Sequence, residues 1–193
     1  MFENLLARFE SLRSNLKNPN VVEIIWEEDN KEISIGKKRQ ILLESANNDY
    51  IVFFDSDDMP RENYLQDILD AIQKKPDCVG FLIQMTTNGQ DPKLCCHSLK
   101  YPIWSANIEG YDFVRNVTHF NPVKRDLALQ VGFQDMRFGE DKEYSDKLTL
   151  LCKEEVFIDK ILFDYQYTNT TSQYEKFNIP KPAFEEIYRP PWR

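Results

Sequence analysis

Histidine, cysteine and long apolar runs are scarce in this chain, and each shortage removes a class of function. There are two histidines and four cysteines. Cys78, Cys95, Cys96 and Cys152 make no C-x-x-C pair, and two of them are adjacent. Neither a zinc site nor a disulfide framework is therefore expected. His97, beside Cys96, has no partner at ligand spacing. Free thiols in a reducing compartment fit this usage. No apolar run approaches the ~18–20 residues that span a bilayer. The opening Met1-Phe2-Glu3-Asn4 has neither the basic nor the apolar region of a signal peptide. Together these readings lead us to expect a cytoplasmic protein. Basic charge is also short. Lys and Arg number 24 against 32 Asp and Glu, a net charge of −8. That balance argues against binding nucleic-acid phosphates as the main task.

What is present suits a folded domain. Of the 193 residues 41% are apolar and 13% aromatic, enough to bury a core. Phe2, Leu5, Leu6, Phe9, Leu12 and Leu16 predict a helix over 2–16, ended by Asn18-Pro19-Asn20. Val21 to Trp26 reads as a buried strand. Ser34 is placed to cap a helix over about 36–46. Tyr50 to Phe54 reads as a second buried strand, ending in Asp55-Ser56-Asp57-Asp58. Pro60 sits where a helix begins, and Cys78 to Met85 reads as a third strand. This alternation predicts α/β units around a mostly parallel sheet. Further on, Asn88-Gly89 is a hairpin signal within a less regular stretch over 86–118. A short helix is expected over 123–130 and another over about 141–152. Short strands are expected over 156–158 and 161–167. Residues 1–167 would form the domain, and the proline-rich 168–193 an extended tail.

The acidic cluster is the first chemical signal. Three carboxylates at the end of an apolar strand occupy the crevice where open α/β sheets bind ligands. Packed like charges repel, and a hard divalent cation with oxygen ligands would relieve them. Asp58 as the cap of the following helix is the plain alternative. A second signal is Lys37-Lys38-Arg39 in a first helical turn, where cations oppose the helix dipole. A diphosphate or nearby acids would offset that, although a solvated basic face is the simpler reading.

Three segments carry a family resemblance. They are Val22-Glu23-Ile24-Ile25-Trp26, Ser34-Ile35-Gly36-Lys37-Lys38-Arg39-Gln40, and Asp49 to Asp58 ending in D-x-D. With Gly132-Phe133 and the later Gly139-Glu140-Asp141, they resemble family 2 glycosyltransferases over about 2–167, small phage or polysaccharide-cluster enzymes above all. The resemblance implies a GT-A, Rossmann-like α/β fold with a mixed, mostly parallel sheet flanked by helices. It also implies a metal-dependent, inverting enzyme. A sugar would move from a nucleotide-diphospho-sugar, by default a UDP-sugar, to a hydroxyl acceptor. The implied cofactor is Mn²⁺ or Mg²⁺, held by Asp57 and by Asp55, which could instead contact the ribose. Asp29 matches a position that contacts base or ribose, with a solvated loop acid as the alternative. Arg39 and Lys38 would face the nucleotide. Asp141 matches the family base, and Glu140 would orient it or contact the acceptor. Acids at a helix start are also favoured by the dipole alone.

His119 lies in a His-x-x-Pro segment similar to one near the family's acceptor site, or is a hydrogen-bonded core histidine. Trp104 is either an acceptor platform or a core residue. Many relatives carry a metal-ligating histidine where this chain has Gln166, which puts tight metal binding in doubt. The resembled fold also has a strand before its first helix. Here Met1 is followed at once by the helix, so that strand is expected to be missing, through a start assigned too far downstream. A catalytically weak nucleotide-sugar-binding remnant is the alternative function. A nucleotidyltransferase would show a glycine-rich basic loop near its first strand, and none is present.

Overall fold

The computed structural model describes residues 2–30 and 32–167. The apolar stripe of the opening segment forms α1 (Phe2–Ser14), which buries Leu5 and Leu12. The run 21–26 does not form the expected buried strand. Asn18 accepts a hydrogen bond from the Asn20 amide through its side chain and starts a 3₁₀ turn at Pro19–Val21. The chain from Val22 onward is irregular, and Val21 and Trp26 stay exposed at 45% and 54%.

Ser34 caps α2 (Ile35–Ser45), as its position suggested, by accepting from the Lys37 amide. Tyr50–Ile51 is β1. Beyond it residues 52–54 join no ladder, and the Phe53 amide donates to the His119 carbonyl at 3.0 Å. Pro60 does not start a helix. Met59–Pro60 is the two-residue β2, and α3 (Tyr64–Ile72) begins four residues later. Proline lacks the amide that a central strand needs, and a short edge pairing tolerates it. Asp58 accordingly caps nothing, and the α3 cap residue is Asn63.

Cys78–Thr87 is β3 and Gln90–His97 is β4. They join at Asn88-Gly89, both at positive φ (52° and 73°), the hairpin turn this pair favours. The stretch expected to be less regular also contains β5 (Ser105–Ile108) and β6 (Tyr111–Arg115). Next come β7 (Val123–Lys124), α4 (Arg125–Val131), α5 (Glu140–Leu151) and the long β8 (Glu155–Tyr167).

The sheet is mixed and flanked by helices, as expected, but it is not mostly parallel. Its path runs β1-β7-β3-β4-β6-β5, with β8 pairing β3 and β2. Only β3–β8 and β4–β6 are parallel; the other five pairings described are antiparallel. The hairpin accounts for part of this, since a tight turn can only reverse the chain. Strand β3 is buried on both faces. Val79, Phe81 and Ile83 join Tyr64, Ile68 and Phe163 under α1 and α3. Cys78 instead joins Leu43, Phe53, Tyr144 and Leu148 under α2, α4 and α5. That second layer fixes α2 and α5 side by side above the end of β1. Residues 168–193, expected to form a tail, lie outside the described residues.

Candidate active site

A close approach between α2 and the loop before α5 builds the site. A Cβ on Gly36 would lie 1.9 Å from the Gln134 carbonyl oxygen, so only glycine fits. The Gly36 amide bonds the Met136 carbonyl at 3.1 Å, and Ser34 Oγ donates to Asp135 Oδ1 at 2.5 Å. One turn later on α2, Arg39 is thereby brought against the first turn of α5.

Arg39 is 5% exposed and bonds to partners 16 and 101 residues away in sequence. Its Nη1 donates to Glu140 Oε1 at 2.5 Å, and its Nη2 donates to Asp55 Oδ1 at 2.8 Å. The same Nη2 lies 3.1 Å from His119 Nε2. Burial would favour the neutral form of Arg39, but Asp55, Glu140 and Asp141 outweigh it and raise its pKa. Burial likewise pushes Asp55 up, yet the Arg39 guanidinium holds its carboxyl well below the usual range. Glu140 goes the other way. Burial lifts it to about 7, against Arg39, with Asp141 adding repulsion. Burial first, then Arg39, lower His119, against the opposing pull of Asp55 and Asp141.

The acidic cluster splits by exposure. Asp57 points to solvent, Asp55 is half-buried, and Asp58 is fully buried. Asp58 Oδ1 accepts from the Gln166 amide at 3.3 Å, while its Oδ2 has no hydrogen-bond partner among the described atoms. Burial first, then Asp55 and Asp57, push Asp58 up to about 8. The sequence places Asp58 in the acidic cluster, with a helix cap as the alternative; the structure adds that it alone of the three acids is fully buried.

The remaining candidates fall around this centre. Lys38 and Asp29 form an ion pair with each other, and Asp29 Oδ2 also accepts from the Ile33 amide at 2.8 Å. Asp141 is half-buried at the start of α5, where Oδ1 accepts from the Lys142 amide. Trp104 is half-buried beside the same turn, with Arg115 and Lys142 over its ring at 4.6 and 5.6 Å. Its Nε1 donates to Asn116 Oδ1, which also accepts from Ser145 of α5. Asn116, fully buried, was not picked out from the sequence, yet it ties Trp104 to α5. Gln166 is exposed on β8, and it is its backbone amide that reaches Asp58. His97 lies 3.3 Å from Thr118 Oγ1, lowered to about 3 by burial, as a core histidine would be. All four cysteines are free and buried.

The family model of glycosyl transferase family 2 matches residues 3–117, more than half of the chain. The chain belongs to this family. Among solved structures it resembles residues 1–349 of S. aureus TarS in complex with UDP-GlcNAc. There the TM-score is 0.58 at 17% identity, over 94% of this chain and 51% of that one. TarS 1–349 without a named ligand gives 0.55 at 17%, over 95% and 56%. TarS 1–349 in complex with UDP gives 0.52 at 15%, over 80% and 49%. At such identities the likeness shows the fold, which is that of GT-A glycosyltransferases. The chain spans about half the length of the structures it matches. Comparison with curated proteins gives no match. The family match stops before Glu140 and Asp141, so their place in the site rests on the geometry above.

Among the described residues no group of three or more His, Cys, Asp or Glu could hold a metal by itself. The acidic turn nevertheless suits one that shares its ligands with a phosphate. Mg²⁺ takes one or two carboxylates plus substrate oxygens. Burial first, then Asp55 and Asp57, raise Asp58, and its Oδ2 has no hydrogen-bond partner among the described atoms, so a cation at this turn would favour its ionised form. No helix among the described residues is long and apolar enough to cross a membrane.

Proposed function

We propose that the chain transfers a sugar from a nucleotide-diphospho-sugar to an acceptor hydroxyl, with inversion at the anomeric carbon. A UDP-sugar is the proposed donor, in line with the UDP-GlcNAc and UDP named for the TarS structures. The observation that carries this reading is the Arg39 bridge. It holds the acidic turn and the first turn of α5 against one another, and in this reading the first would face the donor and the second the acceptor.

Asp57 and Asp55 would hold Mn²⁺ or Mg²⁺ with the diphosphate. When bound, such an ion acts as a Lewis acid that stabilises charge on the leaving diphosphate. Asp29, pinned by Lys38 and the Ile33 amide, presents the loop that would meet the base and ribose. Arg39 and Glu140 serve as positioning residues, because both are buried and engaged with each other. Asp141 is the base. As the acceptor oxygen bonds to the anomeric carbon, the carbon–oxygen bond to the diphosphate breaks and its electron pair leaves with UDP. The hydroxyl proton passes to the Asp141 carboxylate. Trp104, with Arg115 and Lys142 against its ring, would border the acceptor.

A panel of nucleotide-sugars, each scanned for Mn²⁺-dependent thermal stabilisation, tests the donor half. A ligand at ~100 times its Kd adds about 2.7 kcal/mol, which a melting curve resolves. Stabilisation by a UDP-sugar with Mn²⁺, followed by acceptor-dependent UDP release, is expected. Stabilisation without release under any acceptor would favour a binding remnant, and no stabilisation by any donor would refute the assignment.

A further inference from the structure

We propose that His119 is a positioning residue: as the Nδ1–H tautomer it accepts from Arg39 through Nε2, and so fixes the guanidinium that joins the acidic turn to α5. The role in transfer rests on the proposed function; the tautomer does not.

The tautomer follows from the donor inventory. An arginine side chain has five N–H donors and no acceptor, and it keeps its charge in proteins. At 3.1 Å from Arg39 Nη2, His119 Nε2 must therefore offer its lone pair. The alternative acceptor for an Nε2 proton, Asp55 Oδ2, lies 3.8 Å away, beyond hydrogen-bond reach. The ring proton is left on Nδ1, which is buried with no hydrogen-bond partner among the described atoms. An unpaired buried donor is destabilising. An apolar side chain would remove that orphan but leave an Arg39 Nη2 N–H without its acceptor.

The placement shows what the ring does. The backbone carbonyl of His119 accepts from the Phe53 amide and anchors the segment that leads into the acidic turn. The ring packs on Phe120 at 3.9 Å between centroids, which fixes its plane. Arg39 from α2, Asp55 from the acidic turn and Asp141 from α5 act electrostatically on it, and His97 lies on the core side. Removing Nε2 would leave Arg39 Nη2 with Asp55 alone, and the guanidinium would lose one of its three anchors.

The test combines a spectroscopic arm with a rescue series. In ¹⁵N-histidine-labelled wild-type protein, with and without Mg²⁺ and UDP, His119 should show a pyrrole-type Nδ1 and a pyridine-type Nε2. With two histidines in the chain, one variant at either position assigns the signals. An Nε2–H form or an imidazolium would overturn the proposal, whether or not any transfer is detected. In the rescue series His119→Gln sets an amide near the place of Nε2, while His119→Asn reaches only that of Nδ1. His119→Gln should keep kcat within about threefold of wild type. His119→Asn and His119→Leu should lose about tenfold or more through misplacement, with donor KM little changed. Equal kcat for the Gln and Leu variants, with folding confirmed by melting, would also overturn it. If wild type transfers no sugar from any donor, the proposed function falls and the tautomer alone decides this inference.

Discussion

Asp58→Asn should make the protein more stable at neutral pH, and the gain should grow with pH. The Asp58 carboxyl is fully buried and lifted from an ordinary 3.8 to about 8 by burial, Asp55 and Asp57. Below pH 3.8 both folded and unfolded chains hold its proton. Between there and pH 8 only the folded chain does, so the stability this group contributes is lost as pH rises through that window. At pH 7 the difference spans about three pKa units, or ~4 kcal/mol at 1.36 kcal/mol per unit. Relaxation of the acidic turn and entry of water should roughly halve this, to about 2 kcal/mol. Asparagine keeps an oxygen for the Gln166 amide and turns an NH₂ group toward the two remaining acids. For a domain of this size about 2 kcal/mol raises Tm by roughly 4–8 °C. Melting curves of both proteins, without metal, at pH 5 and pH 7.5 make the comparison. A smaller gain at pH 7.5 than at pH 5, or a loss at both, would show that Asp58 is not held protonated in the folded chain.

Binding of Mn²⁺ with UDP should release protons at pH 7, since a cation beside the acidic turn favours ionised Asp58. Calorimetry in two buffers of different ionisation heat should show this, and the effect should vanish in Asp58→Asn. Asp57→Asn should abolish Mn²⁺-dependent stabilisation by UDP while the metal-free Tm stays near wild type, because the side chain is exposed; unchanged stabilisation would exclude Asp57 as a ligand. Gly36→Ala should push away the 134–136 loop, whose carbonyl would sit 1.9 Å from the new methyl. It should lose about 1–3 kcal/mol by overpacking and lower kcat, read by denaturation and UDP release.

The parts of the fold legible in the sequence were those set by local pattern. Helices α2 and α5 and the Asn88-Gly89 turn lie within a residue or two of expectation, because a cap, dipole-favoured acids and a turn pair specify them locally. The run 21–26 misled, since apolar composition alone does not supply a neighbouring strand to pair with. Pro60 misled because the same residue suits a helix start and an edge strand, and β8, a hundred residues away, decides between them. Within the site, the acid turn and Glu140-Asp141 were visible as motifs. A pairing of Arg39 with the acidic cluster, sixteen residues on, was within reach of the sequence, but its bond to Glu140, a hundred and one residues on, was not, because only the tertiary fold brings α2 against α5. Asp29 and Lys38 were singled out separately for the nucleotide side, and the structure pairs them with each other.

If Asp141 takes the acceptor proton, as proposed, the donor half of the site should work without it. The direct test is Asp141→Asn, measured for Mn²⁺-dependent UDP-sugar binding and for acceptor-dependent UDP release under the same conditions. The account predicts donor affinity within about twofold of wild type and a kcat lower by about 10²–10⁴, the share general-base catalysis contributes. Undiminished UDP release by the purified variant would contradict it.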